Sequence, residues 1–212
     1  NVCDIFESNK SMTLNPKIRY LISISYMFIE SYDTALTEML KLHKKRHELS
    51  DYDVYLSFIY LKNGDYLKSK NILTRKSGIK YSVLYFEILI ELGLRFGQLR
   101  SLNYYLKKAE KNGYVSNNIL VNKAALLILT FKKNEALDIL ESVIVKEPDH
   151  LIANDHLINL YKQAFKNKVE SALLRYLKLN PTYLPYLWEL AHLYVQQARQ
   201  DELNSVMNKI RK

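Results

Sequence analysis

Phe58-Ile59-Tyr60-Leu61-Lys62-Asn63-Gly64-Asp65-Tyr66-Leu67-Lys68-Ser69-Lys70-Asn71-Ile72-Leu73 reads as an apolar helix end, a short Asn-Gly-Asp turn and a second helix. Thirty-four residues earlier the chain repeats the pattern, with Tyr26, then Tyr32-Asp33-Thr34-Ala35-Leu36 through Met39-Leu40. Two helices recurring at that period mark a helical repeat array, in which each pair buries its apolar face only by stacking on its neighbours.

Working outward, Pro16 suits the first turn of a helix, where its missing amide hydrogen is no loss. That helix is expected to run to about Glu30. With Pro16 as the first start, later starts fall near Ser50, Val83, Asn117, His150 and Leu184, at thirty-three or thirty-four residues each. The expected division is therefore an array over 16–212, preceded by an extension or leading helix over 1–15 in which Val2, Ile5 and Phe6 are the apolar residues.

Each unit should place small residues where two helices approach closely and large ones where neighbouring pairs leave a gap. Ile22, Ser23, Tyr26, Tyr32, Ala35 and Met39 meet that demand in the first unit, and Leu56, Ser57, Tyr60, Gly64, Tyr66, Ser69 and Leu73 in the second. Ala124, Leu127, Ala136, Leu140 and Pro148 meet it in the fourth, and Trp188, Leu190, Ala191, Tyr194, Leu203 and Met207 in the last. The third has Gly97 at its turn and Ala109 near its end, but puts Gly93 inside a helix at an expected cost of about 1 kcal/mol relative to Ala. The fifth keeps Leu157, Leu173 and Pro181, lacks the small residue that opens the second helix, and reads as one residue short near Phe165 to Lys168.

On these residues the chain resembles the tetratricopeptide-repeat proteins over about 16–212. The resemblance implies an all-α fold, an α-α superhelix of about six helix-turn-helix repeats, with the first helices lining a concave groove and Lys209, Arg211 and Lys212 able to cap its end. It implies a scaffold whose partner, an amphipathic helix or a peptide, lies along the first helices. The groove candidates are then Tyr20, Ile24, Met27 and Phe28 in the first repeat and Val54, Tyr55, Phe58 and Leu61 in the second, an apolar set. The alternative is that Met27, Phe28 and Leu61 pack against the next helix pair. Family members that clamp a chaperone's C-terminal carboxylate need Lys, Asn and Arg where this chain has Tyr20, Ile24, Glu87 and Glu91, which argues against that ligand.

Asp65-Tyr66-Leu67-Lys68-Ser69-Lys70-Asn71-Ile72-Leu73-Thr74-Arg75-Lys76, followed by Tyr81 and a Leu84–Leu92 helix, is similar to early repeats of the tetratricopeptide scaffold subunits of the anaphase-promoting complex, a ubiquitin ligase of the cell cycle. This similarity implies a homodimer in which each groove clasps the other copy's first helices, with Tyr20, Ile24, Met27, Phe28, Tyr55, Phe58 and Leu61 at the interface.

Composition agrees with long helices and short turns. Hydrophobic residues make up 48% of 212, while Gly (5) and Pro (4) are too scarce for an all-β fold or a disordered linker. The single Cys3 forms no internal disulfide, which favours the cytoplasm or nucleus. The first residue is Asn, so a removed signal sequence and a role as a bacterial envelope or secretion adaptor stay open. No run of about eighteen apolar residues occurs, so no membrane span is expected.

The net charge of +9 permits an acidic ligand or nucleic acid. Its distribution argues against nucleic acid: Lys44-Lys45-Arg46, Arg75-Lys76 and Lys107-Lys108 with Lys111 fall near ends of second helices, where cations complement the helix dipole. No Gly-rich phosphate loop occurs. His43 and His47 are spaced as a zinc pair but lack further ligands, so no metal or cofactor is expected. Asp149-His150 and Asp155-His156 lack a nucleophile, and Asp149 fits a helix cap, so no catalytic site and no enzyme activity are expected.

Overall fold

A computed structural model describes residues 15–44, 51–75 and 78–211. The expectations for Val2, Ile5 and Phe6, and for Lys45, Arg46 and His47, lie outside the described residues. Among the described residues the chain is all-α, with twelve α-helices and no strand. It divides between Val115 and Ser116 into two compact units.

The first unit holds three helix pairs: α1 (Pro16–Phe28) with α2 (Tyr32–Lys41), α3 (Tyr52–Lys62) with α4 (Tyr66–Arg75), and α5 (Val83–Arg95) with α6 (Leu99–Lys111). The second holds α7 (Asn117–Leu129) with α8 (Lys133–Lys146), α9 (Leu151–Ala164) with α10 (Val169–Leu179), and α11 (Leu184–Gln196) with α12 (Gln200–Ile210). Four of the six first helices start where the sequence supplies a side-chain acceptor for an orphan amide, and α3 and α11 start without one. Asn15 caps α1, Ser82 caps α5 and Ser116 caps α7. At α9 the cap is His150, whose Nδ1 accepts from the Ala153 amide, rather than Asp149 as the sequence suggests.

Five of the turns inside the pairs share one backbone solution. A residue in the left-handed region ends the first helix, and the next amide reaches back to a carbonyl near the helix end. The bonds are Ser31 to Tyr26, Asp65 to Tyr60, Gln98 to Gly93, Lys132 to Leu127 and Arg199 to Tyr194, at 2.8–2.9 Å. Only two of the left-handed positions are glycine, Gly64 and Gly97; the others are Glu30, Phe131 and Ala198.

The fifth pair is built differently. α9 runs on to Ala164, and one 3-10 turn, Lys166–Lys168, leads into α10. No residue is missing there, contrary to the sequence expectation: Leu157 and Val169 stand as far apart in the chain as Ala124 and Ala136, and both are buried.

Close helix approach follows the small residues. Ser23 donates its hydroxyl to the Ala35 carbonyl at 2.8 Å, and Ser57 donates to the Ser69 carbonyl at 3.0 Å. In the third pair Gly93 has this role. A Cβ there would lie 3.1 Å from the Leu102 Cβ and 3.2 Å from its Cα, so the glycine lets α5 and α6 meet and is no defect. Each unit buries its own apolar cluster: Ile22, Tyr26, Met39 and Ile59 belong to that of the first two pairs, and Leu140, Leu157, Leu173 and Leu187 to that of the second unit.

Candidate functional site

The candidate surface belongs to α1 and α3. Their inward sides, Ile22, Ser23 and Tyr26 on one and Leu56, Ser57 and Ile59 on the other, are spent on the core. Tyr20 and Ile24 of α1 and Tyr55 and Phe58 of α3 lie against that cluster and stay half-buried. Tyr20 meets Tyr55 edge-on at 6.2 Å between ring centroids, and Tyr32 at the start of α2 meets Phe58 at 6.3 Å. The Lys62 ammonium sits 5.3 Å from the Phe58 ring centre. The result is an aromatic face with a cation at its edge, in geometries that the ring quadrupoles favour.

Burial, followed by the neighbouring Tyr55, Asp51 and Tyr52, pushes the Tyr20 phenol above its ordinary range. Tyr32 is raised as well, first by burial and then by Glu30. Both hydroxyls stay protonated at neutral pH. Beneath this face, Glu38 is 5% exposed and is held by Arg19 of α1 and by Lys41, whose Nζ lies 2.6 Å from it.

The expected groove residues divide. Met27 (6% exposed), which belongs to the core cluster of the first two pairs, and Leu61 (3%) are packed into the fold, and Val54 (2%) is buried with them. Phe28 is 75% exposed at the end of α1, beside the exposed Ile29. Three exposed aromatics among the described residues, Tyr104, Phe131 and Trp188, escaped the sequence reading. Trp188, grouped there with packing residues, is half-exposed, while the Leu187 beside it is buried with Tyr186, Leu190, Ala191 and Tyr194 of α11. Trp188 has the register of Tyr20 and Val54 counted from the repeat starts, but Val54 is buried at that position, so the count alone did not mark it as exposed.

Of the acid/base candidates, His150 and Asp155 have structural partners. Asp155 accepts from the Tyr186 hydroxyl at 2.6 Å, and burial lowers the His156 imidazole below its ordinary range against the opposing effect of Asp155. Among the described residues no group of three His, Cys, Asp or Glu could hold a metal ion, and no helix is long and apolar enough to cross a membrane.

No protein-family model and no curated protein matches the chain. Solved structures do. A chain of the APC/C hetero-tetramer Cut9-Hcn1 is similar with a TM-score of 0.78 at 11% identity, over 98% of this chain and 41% of that one. TTC0263, a thermophilic TPR protein of Thermus thermophilus, is similar at 0.67 and 16% identity, over 85% of this chain and 100% of that one. The fold is a tetratricopeptide-repeat fold. YrrB, a TPR protein with an unusual peptide-binding site, has it too, at 0.54 and 15% identity over 89% and 96% of the two chains. This chain spans less than half the length of the Cut9-Hcn1 chain it matches. In tetratricopeptide terms, Tyr20, Ile24, Tyr55 and Phe58 occupy first helices of the first two described repeats.

Proposed function

We propose that the chain is a non-enzymatic scaffold for protein–protein interaction that self-associates through its first two repeats. Tyr20, Ile24, Tyr55 and Phe58, with the exposed Phe28, form the contact face, while Met27 and Leu61 hold the helices beneath it. The observation that carries this is the half-buried aromatic face joined by the Tyr20–Tyr55 and Tyr32–Phe58 contacts. Rigid aromatic anchors of this kind dominate interfaces, because they bury large area at low entropic cost.

The finer assignment is to a scaffold subunit of a ubiquitin ligase of the anaphase-promoting type, acting in the cytoplasm or nucleus. The Asp65–Lys76 run and the likeness to the Cut9-Hcn1 chain support it, the likeness speaking at 11% identity for fold alone. Multi-angle light scattering is the test of self-association. A dimer that Phe28→Glu weakens and Phe58→Glu dissociates is expected; a monomer at every concentration removes the claim.

The net charge of +9 permits an alternative function, binding of nucleic acid or an acidic ligand. It requires affinity for RNA or DNA that falls by orders of magnitude between about 50 and 200 mM salt. A titration at the two salt concentrations that finds no such fall excludes it.

A further inference from the structure

The second helices of the second unit carry a surface that the proposed function leaves unused. Between α8 and α10 a cleft of about 560 Å³ opens beside Pro148. The buried Ile144 forms its base, and Val145, 82% exposed, stands with the half-exposed Leu179 on its walls. A volume of that order holds one or two large side chains.

The charge around this apolar slot is lopsided. Arg175 and Lys178, one helical turn apart on α10, line it together with a single carboxylate, Glu141. That carboxylate is already engaged: it accepts from the Tyr161 hydroxyl at 2.7 Å and lies 3.5 Å from the Lys168 ammonium. Arg175 makes one long hydrogen bond, 3.3 Å to Asn154 Oδ1, which leaves most of its guanidinium fork for another acceptor. An incoming carboxylate therefore meets two cations beside an apolar pocket, and an incoming cation meets repulsion.

We propose that this cleft docks a short segment of a partner protein in which a large apolar side chain is flanked by acidic residues. The apolar group fills the slot over Ile144, Val145 and Pro148, and a carboxylate reaches Arg175 or Lys178. This second docking surface lies on second helices and is independent of the aromatic face of α1 and α3.

Fluorescence anisotropy on the full chain with three labelled hexapeptides tests it. The first is Asp-Asp-Leu-Phe-Asp-Asp, the second replaces its acids by Lys, and the third replaces its Leu-Phe by Ala-Ala. The first is expected to bind at least tenfold tighter than either other peptide. Val145→Asp and Lys178→Glu, both at exposed positions, are each expected to weaken it at least tenfold with an unchanged far-ultraviolet circular dichroism spectrum. Phe28→Glu should leave it unaltered. Equal binding of the Ala-Ala peptide, or of the Lys peptide, or binding that Val145→Asp leaves intact, overturns the proposal.

Discussion

At Gly93 two effects of similar size oppose each other. Alanine is favoured over glycine inside a helix by about 1 kcal/mol, but the added methyl would press on the side chain and backbone of the fully buried Leu102. Overpacking of that kind costs about 1–3 kcal/mol. Gly93→Ala is expected to destabilise the chain by about 1 kcal/mol in urea unfolding, and a gain in stability would show that α6 yields. Phe131 makes the opposite case, because it is held at φ +62° with its ring 87% exposed. Phe131→Gly is expected to stabilise by about 1 kcal/mol, since it relieves left-handed strain and gives up little burial; an unchanged or lower melting temperature would contradict this. His156 belongs at this scale as well. Its imidazole is lowered below the ordinary 6.5 by burial, so the unfolded chain takes up its proton first as pH falls. Stability should drop below about pH 6.5, and His156→Gln should remove that part of the slope; an unaltered slope would place the titration elsewhere. The sequence exposed Gly93 as a departure from the helix rule but not its reason, which depends on which α6 residue faces it.

At the scale of the element, the helix pairs rest on short polar contacts at their crossings. Ser57 and Ser69 are fully buried, with their hydroxyl oxygens 2.9 Å apart. Ser57→Leu should force α3 and α4 apart and cost about 3 kcal/mol or more, whereas Ser57→Ala should cost about 1–2 kcal/mol by losing the hydroxyl's bonds to the Ser69 carbonyl and hydroxyl. Equal midpoints for the two variants in urea would deny the close crossing. Arg19→Met should cost about 1–3 kcal/mol, because it leaves the buried Glu38 with Lys41 alone. The first helices were legible from the repeat period and from the small-residue spacing, counted from Pro16, while the caps Asn15, Ser82 and Ser116 came only with the structure. The turns were legible only where glycine marked them, at Gly64 and Gly97. Glu30, Phe131 and Ala198 adopt the same backbone without that mark. The split of the expected groove into packed Met27 and Leu61 and exposed Phe28 was not legible at all, because apolar residues on adjoining sides of a helix look alike until its neighbours are in place.

Over the whole molecule, tyrosine links packing to charge. Burial first, then hydrogen bonding to Asp155, raises the Tyr186 phenol well above its ordinary value; burial first, then Glu141, raises that of Tyr161 to about 12. The folded chain therefore keeps protons that the unfolded chain loses above pH 10, and stability should fall as pH rises beyond that value. Circular dichroism melts from pH 9 to 11 will record this, and Tyr186→Phe should flatten the slope. The sequence announced seventeen tyrosines without saying which are buried against a carboxylate. The partners, too, lie beyond what a repeat pattern encodes, since the period specifies packing and leaves the exposed face free to vary. The most direct test of the scaffold function is the solution mass of the full chain beside Phe28→Glu and Phe58→Glu, measured by light scattering over a range of concentrations. Self-association through α1 and α3 predicts twice the 25.0 kDa chain mass, reduced toward one chain by either variant with helicity retained. A wild-type mass of one chain throughout, or a dimer that both variants leave intact, would contradict it.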